Sequence, residues 1–148
     1  MERIVGIAAS EGYAIGRMYI HLEAAEDWSH QTALDPDQEV SRFQQAKEDA
    51  CIELGTVYHR AVARVGEHHS GIFKIHLALL RDDDFCKEVS EYIQQNHCTA
   101  EKGVQEVGQK FFRIFEEMDD DYLRARGADV KDIVSRLLFF LGENRKEE

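Results

Sequence analysis

The chain has 148 residues and one proline. Proline stops helices, so its scarcity leaves long helical stretches possible. Leu137–Leu141 is apolar, but it is far short of the roughly 20 residues that span a bilayer. Met1–Ser10 lacks the basic start and long apolar core of a signal peptide. There are three cysteines, Cys51, Cys86 and Cys98, widely spaced and without a C-x-x-C pair. That excludes a disulfide framework and reads as buried or incidental thiols in a reducing cytoplasm. Neither G-x-G-x-x-G nor a Gly-Lys-Ser/Thr ending occurs, so no nucleotide loop is encoded. Positive charge is in short supply: 18 Lys and Arg face 29 Asp and Glu, a net charge of −11. Nucleic-acid binders usually present a basic face, which this chain does not promise. The acidity either steers a basic partner or only keeps helices soluble.

What is present is helix-forming sequence. Hydrophobic content of 43% and charged content of 32% suit a folded protein. One core, or one domain with an appendage, fits this length. Residues 2–24 hold most of the strand signal, in Ile4–Ile7 and Ala14–Ile20, punctuated by Gly6, Gly12 and Gly16. Two isolated strands are marginal in water, so this segment needs a sheet from elsewhere. Residues 25–34 read as a polar linker. Asp35-Pro36 is then a strong helix start. Val40, Phe43, Ala46, Ala50, Leu54, Val57, Ala61 and Val65 follow at helical spacing, and Gly66 ends the run. A second helix covers about Ser70–Leu80. Asp82–Asp84 interrupts it and caps a continuation through Phe85, Val89 and Ile93. Thr99 caps a third helix, with a stripe of Val104, Val107, Phe111, Ile114, Phe115 and Met118. Asp119–Asp121 starts a fourth, with a stripe of Leu123, Val130, Ile133, Val134, Leu137, Leu138 and Leu141, and Gly142 as its C-cap. The fold class is mainly α: a four-helix domain of two helical hairpins at residues 35–142, preceded by a short β segment and followed by a charged tail at 143–148.

The residues alone mark no catalytic centre. A bundle di-metal site needs Glu-x-x-His pairs, and none occurs, so no metal site is expected. His76 stands between Phe73 and Leu79 on the apolar side of the second helix. It is either a core-edge histidine or a contact on an exposed strip. No base and orienting group visibly converge on a serine or cysteine.

Three motifs carry a resemblance: GIAASEGYAIGRMYI, IFKIHLALLRDDDF and MDDDYLRARGADVKDI, in order and correctly separated from about residue 3 to residue 142. Together they resemble the N-terminal region of Enzyme I, the phosphoenolpyruvate-protein phosphotransferase of the bacterial sugar phosphotransferase system. The resemblance implies an enzyme that passes phosphate from phosphoenolpyruvate, through a histidine, to the small carrier HPr in sugar uptake. The strand segment would belong to an incomplete α/β domain, and the helices to the insertion on which HPr docks. The family's phosphohistidine lies in a Gly-Gly-x-x-Ser-His-type stretch that is absent; Ser29-His30 follows Asp27-Trp28 instead. The segment is therefore expected to be inactive alone, whether cut from a longer protein or naturally truncated. No cofactor is implied within it, and magnesium is implied for the complete enzyme.

Carried over by position, the docking strip comprises Glu67, Gly71, His76, Ala78, Leu79, Asp82, Asp83, Asp84 and Phe85, with Phe115, Tyr122 and Arg126 on neighbouring helices. An apolar patch rimmed by carboxylates would give affinity at its centre and orientation at its rim. His68, His69 and Arg81 stand where family members often carry acidic or mixed charge, which points to a less basic carrier or a specialised HPr paralogue. The rival readings are a nitrogen-branch or other phosphoenolpyruvate-using paralogue and a plain helical interaction module. Residues 3–20, without the rest of their sheet, would be disordered, pack on the bundle or exchange strands in a homodimer.

Overall fold

A computed structural model describes residues 35–144, together with Gly12, Tyr13, residues 15–17 and Ala33. The expected strands and linker thus lie, apart from those few positions, outside the described residues. Helix α1 spans Pro36–Val65, α2 Gly71–Leu80, α3 Asp83–Asn96, α4 Ala100–Glu116 and α5 Asp121–Asn144, with one 3₁₀ turn at His68–Ser70.

The helix starts follow from capping chemistry. The Asp35 carboxylate accepts from the Asp37 and Gln38 amides at 3.0 and 3.3 Å, and Pro36 occupies the first turn, where no N–H is required. Gly66 closes α1 with φ at 83°, a conformation that costs glycine little. Asp82 takes an extended backbone, and its side chain accepts from the Phe85 amide at 2.9 Å. The second arm is therefore two helices, α2 and α3, broken at Arg81-Asp82. Thr99 caps α4 through the Lys102 amide, and Asp120 accepts from the Leu123 amide at 3.0 Å as α5 begins. The expected C-cap at Gly142 needs correction. Gly142 lies inside α5, which continues to Asn144. Gly142 also has ordinary negative φ, so it forms no left-handed stop.

The four arms run up, down, up and down. Phe43, Ala46, Ala50 and Leu54 of α1 meet Leu80, Phe85, Val89 and Ile93, then Val104 and Val107 of α4, and Ile133, Leu137 and Leu141 of α5. Phe85 and Phe111 meet edge to face, with centroids 5.3 Å apart. One end of the bundle is closed by a charged knot. The Arg42 guanidinium donates to Glu101 at 2.8 Å, Glu39 at 2.6 Å and the Leu141 carbonyl at 3.3 Å. The Glu39 carboxylate also accepts from the Ala100 amide at 2.8 Å, so α1, α4 and α5 converge there. Burial pushes the Arg42 pKa down, but hydrogen bonding and the charges of Glu101 and Glu39 outweigh it and leave the net shift upward.

At the opposite end the core thins. Val65, Ile114 and Leu123 continue the apolar stripes read from the sequence and Ile72 lies in the second helix, yet all four are exposed. They sit at the end of α1, the start of α2, the end of α4 and the start of α5. Antiparallel packing brings these four termini to one end of the bundle.

Candidate functional site

The start of α2 faces the start of α5 at this open end. Two charged links join the elements. On the α1–α2 side, Glu67 is ion-paired with Lys74, whose ammonium also lies over the Tyr58 ring at 5.6 Å. The hydrogen bond and charge of Lys74 lower the Glu67 pKa, and Glu67 in turn raises that of Lys74. Both groups are exposed, so the pair orients more than it stabilises.

The second link crosses from α2 to α5. His76 is buried, and its Nε2 lies 3.2 Å from Asp129 Oδ1 and 4.0 Å from Asp132 Oδ2. The other Asp129 oxygen accepts from Arg126 at 2.7 Å. The Arg126 guanidinium stacks over the Tyr122 ring at 4.5 Å, and Tyr122 is 63% exposed. A chain of contacts therefore runs from the core histidine to an exposed tyrosine. Each member fixes the next, so Arg126 and Tyr122 are presented in one arrangement despite lying near the surface.

The twelve residues singled out from the sequence fall into three groups. Ala78, Asp82, Asp83, Asp84, Glu67 and Tyr122 are exposed, while Gly71, Leu79, Phe115 and Arg126 are half-buried. His76 and Phe85 are buried. Phe85 belongs to the core against Phe111, in the first turn of α3. His76 lies at the edge of the core, 8% exposed. Asp82 is occupied in capping α3, which leaves Asp83 and Asp84 as the free carboxylates of that corner.

Sequence reasoning missed Asp129. It lies beside Val130 on a buried stripe and is only 7% exposed. A carboxylate on an apolar face demands a partner, and that was the available signal. An open groove of about 570 Å³ runs between α3 and α4, lined by Asp84, Lys87, Glu88, Glu91, Tyr92, Gln95 and Lys110. Its charges form ordinary surface pairs such as Lys110–Glu88, without converging reactive groups. Among the described residues, no helix is long and apolar enough to cross a membrane.

Comparison with known proteins agrees with this architecture. The sequence model of a family described as PEP-utilising enzyme, N-terminal, matches residues 5–126. A phosphoenolpyruvate-protein phosphotransferase of Listeria innocua is 36% identical over 140 residues, 95% of this chain and 24% of the relative. One of Staphylococcus epidermidis is 35% identical over 136 residues, 91% of this chain and again 24% of the relative. The chain thus spans about a quarter of the length of these curated relatives. Among solved structures, the N-terminal domain of Enzyme 1 – Nitrogen is similar with a TM-score of 0.73 and 29% identity, over 82% of this chain and 52% of that one. A solution structure of Enzyme I shares the fold with a TM-score of 0.71 at 24% identity, over 78% of this chain and 48% of that one.

Proposed function

Because the chain belongs to the family of PEP-utilising enzymes, as their N-terminal part, we propose that it is the carrier-docking part of a phosphoenolpyruvate-protein phosphotransferase. The open end of α2 and α5 receives HPr or an HPr-like phosphocarrier. Phosphoryl chemistry belongs, in this reading, to the remaining length of such enzymes, and the setting is cytoplasmic sugar uptake. The observation that carries it is the presented Tyr122–Arg126 stack, locked through Asp129 to His76, at the end where the apolar stripes are uncovered. Ile72, Leu123 and Tyr122 offer apolar contact, and Asp83 and Asp84 add carboxylates at the α2–α3 corner. With a net charge of −11, a carrier with a basic rim would be attracted and oriented.

Titration of the cognate carrier into labelled chain, followed by NMR, tests this. Shifts should cluster on residues 67–85 and 122–126, and the association rate should fall with salt. Tyr122→Ala should weaken binding by about 1–2 kcal/mol, as an exposed aromatic anchor does. Shifts centred on the α3–α4 groove, or an association rate indifferent to salt, would sink the proposal.

One observation favours a narrower reading. The 29% identity to the N-terminal domain of Enzyme 1 – Nitrogen accompanies His68, His69 and Arg81, all exposed beside the strip. These residues dilute the acidic rim, which suits a less basic carrier. Parallel titrations with sugar-type and nitrogen-type carriers decide between the two.

A further inference from the structure

The sequence contains no Glu-x-x-His pair, and the expectation drawn from that was no metal site. The fold assembles a ligand set by another route. Among the described residues, one group of three or more His, Cys, Asp or Glu has ligand atoms close enough to hold an ion: His76, Asp129 and Asp132, all within 4.8 Å of one another. We propose that these three side chains form a binding site for a divalent transition-metal ion, of which zinc fits best.

Three observations support it. The first is spacing. Zinc bound to nitrogen and oxygen ligands at about 2.1 Å in a tetrahedron separates them by about 3.4 Å. Here Nε2 of His76 lies 3.2 Å from Asp129 Oδ1 and 4.0 Å from Asp132 Oδ2. A small rotation of Asp132 closes the set, and its side chain is 70% exposed and free to make it. The second is outer support. Ligating carboxylates are themselves hydrogen-bonded where a site is built. Arg126 holds Asp129 Oδ2 at 2.7 Å, which fixes the carboxylate plane and leaves Oδ1 toward His76. The third is charge. The two carboxylates outnumber the single guanidinium, and the nearby Lys131 ammonium lies over the Phe112 ring.

One imidazole and two carboxylates suit zinc and leave a position for water. Binding would replace the His76–Asp129 hydrogen bond with two metal bonds; the Nε2 proton that made the hydrogen bond leaves to solvent, and Nδ1 carries the one proton of the neutral, ligating ring. Asp129 and Asp132 stand at i and i+3 on α5, so the ion would clamp α2 onto α5. The site stands independently of the docking proposal, since it is tested without any carrier.

Zinc chloride titrated calorimetrically into EDTA-treated chain provides the test, with thermal unfolding alongside. Wild type should bind one equivalent and melt at higher temperature with zinc. Asp132→Asn and His76→Gln should each weaken binding at least about tenfold. Because Asp132 is exposed, its variant should melt like wild type without zinc, which separates lost ligation from lost folding. Absence of heat and of any melting shift at micromolar zinc would overturn the proposal. So would wild-type affinity in Asp132→Asn with the loss appearing in the double variant His68→Gln, His69→Gln, since the ion would then sit on the exposed histidine pair.

Discussion

Arg42 and Glu101 are charged side chains at a closed, water-poor end, with side-chain exposures of 12% and 0%. Arg42 compensates Glu101, and Glu101 shares with Glu39 the compensation of Arg42; an uncompensated buried ion is among the costliest defects in a fold. Glu101→Ala should therefore destabilise the chain by about 3–5 kcal/mol in urea unfolding, well beyond an ordinary surface substitution. A loss under about 1 kcal/mol would show that Glu39 alone can hold Arg42. The cysteines act in the opposite sense, as small apolar residues. Burial pushes the Cys86 and Cys98 thiols up, since a thiolate would lose its water. The folded state then holds these protons more tightly than the unfolded chain. The contribution is complete below the ordinary thiol value and shrinks as pH rises from there toward the raised native values. Stability should decline on the alkaline side, and Ellman's reagent at neutral pH should label these thiols only as fast as the protein opens. Rapid labelling of the native chain would contradict this.

Helix packing makes its sharpest demand at Gly108 of α4. A Cβ there would fall 2.3 Å from Val134 Cγ2 of α5, so the two helices meet at a spacing only glycine permits. Gly55 in α1 is the contrasting case, with nothing within 4 Å of the same position. Alanine gains nearly 1 kcal/mol of helix propensity at either site. At Gly55 that gain should survive and raise the melting temperature. At Gly108 overpacking should reverse it, for a net loss of about 1–2 kcal/mol. Equal shifts in both variants would mean that α4 and α5 separate freely. The same contrast explains what was legible in the sequence. Caps at Asp35, Asp82 and Thr99 could be read directly, because a cap bonds an amide two or three residues on. Gly142 was misread because a glycine stops a helix only where the chain must turn, and α5 has no such need there. The His76–Asp129 contact could not be read at all, since the residues are 53 positions apart and meet only when α2 crosses α5. The Phe85–Phe111 contact was illegible for the same reason: the two rings stand on different arms.

For the whole molecule, the question is where the folding unit begins. Among the described residues, every member of the buried cluster lies between Phe43 and Leu141, and all four arms contribute to it. The closed end is held by Arg42, Glu39, Glu101 and the Leu141 carbonyl, again within that range. Upstream, Ala33 donates its amide to the His97 carbonyl at 2.9 Å, just where His97 ends α3 in a left-handed conformation. One such hydrogen bond contributes about 0.5–1.5 kcal/mol. We propose that residues 35–142 are an autonomous helical domain and that residues 1–34 belong to a different folding unit. A chain shortened to begin at residue 34 keeps Asp35 as its cap and all the core side chains named above. It should retain its helical circular dichroism and unfold in one cooperative step, with at most about 1.5 kcal/mol lost relative to the longer chain. Carrier binding, if the open end of α2 and α5 is the docking face, should survive the same truncation unchanged. A shortened chain that binds dye like a molten globule, or melts without a transition, would place part of the upstream segment inside the core-forming unit.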